Sequence, residues 1–202
     1  MDETRQGEVD AATPAPDLGA TGVTRIAHGV YRTASPQATT TLGRLLASAL
    51  RPGDVIVLSG DLGAGKTCFT GGVAAGLGDQ RPVTSPTFTI MAVHDGGRIP
   101  LYHYDLYRLD DAEQLEDVGI YDMLEGDGAC LVEWGERFAG EIGDDRLDLV
   151  FTRLDASAAD AGDEGEAVAT EPARQLVARP HGERAHELLD AFDDAVRAAL
   201  AG

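Results

Sequence analysis

Residues 54–78 read DVIVLSGDLGAGKTCFTGGVAAGLG, and the order of chemistry in that stretch decides the fold. It opens, over 54–60, with a β-branched and apolar run of the kind found in a strand buried on both faces. From Lys66 the spacing of Phe69, Val73 and Leu77 suits one face of a helix, with Gly78 as its C-cap. Gly71 and Gly72 lower that helix's propensity but allow close packing on a sheet. Between strand and helix, Gly60, Gly65, Lys66 and Thr67 satisfy G-x-x-x-x-G-K-[ST] in the context its mechanism demands.

Glycines let a backbone curl around an anion with its N–H groups pointing inward, and a helix N-terminus adds partial positive charge. Lys66 is the only lysine in the chain, against fifteen arginines. A compact ammonium on a flexible stem reaches β- and γ-phosphate oxygens where arginine's wide planar fork fits poorly. Thr67 offers a hydroxyl to Mg²⁺. With that lysine already used, the guanine-specific N-K-x-D signature cannot be present, so ATP is the expected nucleotide.

The rest of the chain organises around this unit. Its 202 residues suit one domain with appendages. Residues 1–22, acidic with Pro14 and Pro16, are expected to form a disordered tail, leaving 23–202 as the domain. Ser35 and Pro36 can start a helix whose stripe is Leu42, Leu45, Leu46, Ala49 and Leu50. TFTIMAVHDGGRIPLYHYDLY, 87–107, reads as a hairpin turning at Asp95, Gly96 and Gly97, a turn that tolerates positive φ. Asp110 and Glu113 have capping-box spacing, and GACLVEW, 128–134, is a second buried strand. RLDLVFTRL and RQLVARP predict two more strands, with an acidic solvated insertion over 155–172 between them. A final helix carries Leu188, Leu189, Phe192, Val196 and Leu200.

A net charge of −19 argues against a protein that grips nucleic acid by itself. No run is apolar enough for a membrane span, and an acidic N-terminus is unlike a signal peptide, so a cytoplasmic protein is expected. Cys68 and Cys130 read as small buried thiols, and the histidines show no zinc spacing.

Three further segments carry chemistry. Glu133, at the end of a buried strand, is either an acid for Mg²⁺ or its water shell, or a solvent-facing strand end. Asp105 in YHYDLYRL either orients an attacking water or holds a metal-bound one, or else caps the next turn. Arg108 either faces a phosphate or pairs with a carboxylate. TSPTFT, 84–89, is either a nucleotide-sensing loop or an ordinary turn held by Pro86.

GDLGAGKT, SPTFT, YHYDLYRL and LVEW, in this order and spacing, resemble the TsaE (formerly YjeE) family over about residues 30 to 152. The resemblance implies an α/β, P-loop NTPase-like fold in three layers, its mostly parallel central sheet flanked by helices, with an antiparallel hairpin. It also implies an ATPase acting with TsaD and TsaB in forming N6-threonylcarbamoyladenosine at position 37 of tRNA, with tRNA met only through the complex. Carried over, Asp61, Leu62, Gly63, Ala64, Gly65, Lys66 and Thr67 hold phosphates, Thr67 and Glu133 ligate Mg²⁺, and Asp105 serves hydrolysis. Ser35, in the segment Thr33 to Pro36, lies near adenine. Trp134 either supports the nucleotide site or partner surface, or is a core residue. Cys68 stands where the family more often has Thr or Ser, placing a thiol beside the nucleotide. A small-molecule kinase and a nucleotide-dependent regulatory switch are the alternatives.

Overall fold

A computed structural model describes residues 22–154 and 172–201. The expected acidic tail and the 155–172 insertion fall, but for Gly22 and Pro172, outside the described residues. In chain order the elements are β1 (Val23–Ala27), β2 (Val30–Thr33), α1 (Pro36–Ala47), β3 (Val55–Ser59) and α2 (Lys66–Leu77). Next come β4 (Met91–His94), β5 (Leu101–Asp105), α3 (Glu113–Asp117), α4 (Ile120–Leu124) and β6 (Ala129–Glu133). A 3₁₀ turn (Gly135–Phe138), α5 (Ala139–Ile142), β7 (Arg146–Arg153), β8 (Arg174–His181) and α6 (Glu183–Ala201) complete the chain.

One eight-stranded sheet runs in the order β1-β2-β8-β7-β3-β6-β5-β4. Its central strands β7, β3, β6 and β5 are parallel, and the margins are antiparallel. Strand alternation divides the core into two layers. Ile56, Leu58 and Leu131 face α1, α2 and α6, packing with Leu42, Phe69 and Phe192. Val55, Val57, Cys130 and Val132 face the other way, onto Leu115, Ile120, Phe138 and Ile142. The three-layer α/β fold expected from the sequence is therefore the one observed, with β4 and β5 as the expected hairpin.

Four local expectations are corrected. The residues 87–89 do not extend β4, because Ser85 and Thr87 turn their hydroxyls onto Asp105 instead. Gly96 and Gly97 are needed for space and not for positive φ: a Cβ on Gly97 would stand 2.7 Å from the Leu77 carbonyl oxygen. The capping box lies one residue on from Asp110 and Glu113. Asp111 accepts from the Gln114 amide, and the Gln114 side chain accepts from the amides of Asp110 and Asp111. Gly72 packs against α1 and not the sheet, since a Cβ there would meet the Thr40 carbonyl oxygen at 2.0 Å.

Candidate functional site

Leaving β3, the chain passes Gly60 and enters α2 through Gly65, whose φ of 108° lies in the left-handed region that suits glycine. At Gly60 a Cβ would lie 2.2 Å from the Phe151 carbonyl oxygen, so β7 presses directly on the start of the loop. The loop therefore keeps its shape from both ends. The first-turn amides of α2 belong to Lys66, Thr67 and Cys68, and helix geometry supplies them no carbonyl partner within the helix. A ring of amides at a helix N-terminus is an anion site in waiting.

Lys66 is buried, and its ammonium donates to the carbonyls of Gly60 (2.6 Å) and Asp61 (3.1 Å). Its Nζ also sits 3.9 Å above the Trp134 ring centroid, a cation–π contact. Burial pulls the Lys66 ammonium below the ordinary lysine value, and the negative charge of Glu133 opposes that shift. Trp134 is one of two non-glycine residues with positive φ among those described, the other being Ile90. Its strained backbone turns the indole under the lysine, where it also packs on Tyr107 at 5.2 Å.

The acids arrive by strand parity. Leu101, His103 and Asp105 alternate onto one face of β5, as Ala129, Leu131 and Glu133 do on β6, and this is the face that carries α2. Asp105 and Glu133 are direct register partners at the carboxyl ends of two parallel strands, the end where open α/β sheets place their ligands. Both are almost fully buried. Glu133 Oε1 accepts from the Thr67 hydroxyl and the His103 Nε2, each at 2.9 Å. A carboxylate only accepts, so His103 carries a proton on Nε2. Asp105 Oδ2 accepts from Ser85 Oγ (2.6 Å) and Thr87 Oγ1, while Oδ1 accepts from the Tyr107 amide at 3.1 Å.

A cavity of about 420 Å³ joins these groups. Of the residues expected from sequence, Leu62, Gly63, Ala64, Gly65, Lys66, Thr67, Cys68, Asp105, Glu133 and Trp134 line it. Two do not: Asp61 is exposed beside it, and Ser35 is occupied as the N-cap of α1, leaving its neighbour Pro36 at the wall. The expectation of buried thiols holds for Cys130, whose pKa burial pushes up to about 12, but Cys68 is exposed. Arg108 stacks on the exposed Phe88 ring at 4.3 Å and does not line the cavity. His103 and Arg174 were not anticipated. Parity with Asp105 could have placed His103; nothing local marks Arg174, which reaches the wall from β8.

Among the described residues no group of three or more His, Cys, Asp and Glu side chains is arranged to hold a metal ion. The Thr67 hydroxyl and Glu133 carboxylate nevertheless suit a hard cation that takes few protein oxygens and completes its shell with phosphate and water, as Mg²⁺ does. No helix among the described residues is long and apolar enough to cross a membrane.

Comparison with known proteins bears on the family and the fold. The model of the family described as "Threonylcarbamoyl adenosine biosynthesis protein TsaE" matches residues 33–160. The tRNA threonylcarbamoyladenosine biosynthesis protein TsaE of Bacillus subtilis is 46% identical over 123 residues, covering 61% of this chain and 77% of its own length. Its counterpart in Streptomyces coelicolor is 47% identical over 126 residues, covering 61% and 82%. The crystal structure of YdiB from Bacillus subtilis superposes with a TM-score of 0.64 at 34% identity, covering 85% of this chain and 96% of that one. With the family model spanning well over half of its length, the chain belongs to the TsaE family.

Proposed function

We propose that the chain is a Mg²⁺-dependent P-loop ATPase serving the formation of N6-threonylcarbamoyladenosine at position 37 of tRNA, in partnership with TsaD and TsaB. The observation that carries the catalytic part is the meeting of Thr67, Glu133 and Asp105 at the mouth of the glycine loop. The relatives' names supply the pathway. The acidic net charge suits a subunit that acts on partners while they hold the RNA.

In this reading the amides of the loop and of the first turn of α2 bind the β-phosphate. Lys66 leaves the carbonyls of Gly60 and Asp61 for the β- and γ-phosphate oxygens, a short swing of a flexible stem. Thr67 and Glu133 hold Mg²⁺, which when bound neutralises charge developing on those oxygens. His103 keeps Glu133 turned toward Thr67 once their mutual hydrogen bond is given up. Asp105 takes a proton from the water that attacks the γ-phosphorus, the bond to the β–γ bridging oxygen breaks, and ADP and inorganic phosphate leave, the phosphate or solvent carrying away the proton. Asp105 Oδ2 is engaged by Ser85 and Thr87, so movement of that loop would free this oxygen for the water. The 84–89 loop thus couples the nucleotide's state to the surface, the property a regulatory switch would also use.

The test is phosphate release from ATP by the purified protein, alone and with TsaD–TsaB. The reading predicts slow release alone and a changed rate with the partners. Rapid phosphorylation of a small metabolite would sink it in favour of a kinase.

A further inference from the structure

A line of polar side chains crosses three strands on the face of the sheet that carries α2. His94 on β4 and His103 on β5 are diagonal neighbours, since Ala92 pairs with His103 and His94 with Leu101 in that ladder. His103 stands in the same relation to Glu133 on β6, through the His103–Leu131 pair. Alternation along each strand therefore sets His94, His103 and Glu133 on one face, where Glu133 accepts from Thr67. The two imidazole centroids lie 5.9 Å apart, with the ring planes tilted by 32°.

Both rings are buried, His94 to 9% exposure and His103 completely. Each carries one buried nitrogen, His94 Nε2 and His103 Nδ1, to which no group among the described residues hydrogen-bonds. Because His103 donates its Nε2–H to Glu133, its Nδ1 is a bare lone pair that needs a donor. Buried polar atoms are rarely left without a partner, and these two belong to neighbouring rings. One water molecule can serve both. It donates one hydrogen to His103 Nδ1, and it either accepts from a His94 Nε2–H or gives that nitrogen its second hydrogen.

We infer that His94 is a positioning residue for the Mg²⁺ site, joined to His103 Nδ1 by a buried water so that His103 keeps its Nε2–H on Glu133. With both of its nitrogens held, the His103 ring cannot turn away from the carboxylate. The inference rests on the Mg²⁺ and ATP reading above, and the two can fail separately. Isothermal titration of ATP over a series of Mg²⁺ concentrations into the wild type, His94→Gln and His94→Phe tests it. Thermal melts of each ligand-free protein are the folding control. A crystal structure of the wild type, at a resolution that shows ordered solvent, tests the bridge itself.

Glutamine can place a polar atom near the position of Nε2, whereas phenylalanine fills the space and offers none. The Mg²⁺ concentration for half-maximal ATP binding should rise about tenfold in His94→Phe, the low end for an outer-shell partner because His94 acts through another residue. His94→Gln should recover most of that loss, and ordered solvent should lie within hydrogen-bond distance of His94 Nε2 and His103 Nδ1. A Mg²⁺ requirement in a folded His94→Phe within about twofold of wild type overturns the inference. So does a glutamine variant as impaired as phenylalanine, which would leave His94 a packing role alone. Should His94→Phe not fold, the crystal structure decides: no solvent density bridging the two rings overturns the inference. Wild-type ATP binding that Mg²⁺ does not strengthen instead overturns the metal reading, and the bridge is then judged by that density alone.

Discussion

Two adjacent glycines in α2 should respond in opposite ways to the same substitution. Gly71 faces open packing: a Cβ there would find only the Val83 Cβ at 3.7 Å, an ordinary contact. Alanine is the better helix former by about 0.5–1 kcal/mol, so Gly71→Ala should stabilise by about that amount. Gly72 lies where α1 crosses α2, and a Cβ would stand 2.0 Å from Thr40 O, 2.8 Å from Thr40 C and 3.0 Å from Thr40 Cα. All three atoms are backbone, so no side chain can step aside. The helices must part by about 1 Å, and with Gly43 pressed as closely on Phe69 O, at 2.3 Å, the displacement reaches the whole contact. We expect about 2–3 kcal/mol of destabilisation, at the upper end of overpacking costs. For a domain of this size 1 kcal/mol moves Tm by about 2–4 °C. Melting followed by circular dichroism should therefore show Gly71→Ala about 1–4 °C above wild type and Gly72→Ala about 4–12 °C below. Since α2 begins with Lys66 and Thr67, the second variant should also lose nucleotide affinity while the first keeps it. Equal melting of the two variants would refute the role assigned to the α1–α2 contact.

Glu133→Gln should weaken Mg²⁺-dependent turnover more than folding; normal turnover would move the metal role elsewhere, with Asp105 next. His103 is fully buried and donates to Glu133, so His103→Leu should raise the Mg²⁺ needed for half-maximal turnover by about 10–100-fold, whereas His103→Gln should recover part of it. An unchanged Mg²⁺ titration in His103→Leu would show that Glu133 holds its orientation unaided. Asp105→Asn should retain ATP binding and lower turnover by about 10²–10⁴-fold, and retained turnover would remove Asp105 from the chemistry. Burial, and next the neighbouring His103, lower the pKa of His94, with Asp79, Arg81 and Asp95 the other charges that act on it. The unfolded chain then binds the extra proton first, so His94's contribution to stability is kept above about pH 6.5 and lost as pH falls below it. Replacing His94 by Gln should flatten that limb of the stability profile; an identical acid limb in wild type and variant would contradict the assignment.

Where side-chain periodicity and a local motif coincided, the sequence was a good guide. The buried runs ending at Ser59 and Glu133 are strands because both faces of a central parallel strand are covered, and the glycine loop follows from its position between β3 and α2. The segment 23–33 escaped because β1 and β2 are short marginal strands of mixed exposure, with no periodicity strong enough to read. The hydroxyl-rich 84–89 loop was visible, but not that its Ser85 and Thr87 would close on Asp105, a contact bridging about twenty residues. Parity along YHYD could place His103 beside Asp105, yet its partner Glu133 is known only once β5 and β6 are set in register. Arg174 is least legible of all, since its place at the wall depends on β8 returning beside β7 after the long connection.

Every catalytic role proposed above requires MgATP to occupy the cavity between the glycine loop, Asp105 and Glu133. Isothermal titration of ATP into the wild type and Lys66→Ala, each with and without Mg²⁺, measures this directly. Saturable binding is expected at one site per chain, strengthened by Mg²⁺ and lost in Lys66→Ala. No saturable binding to the wild type, or equal binding in both proteins, would contradict it.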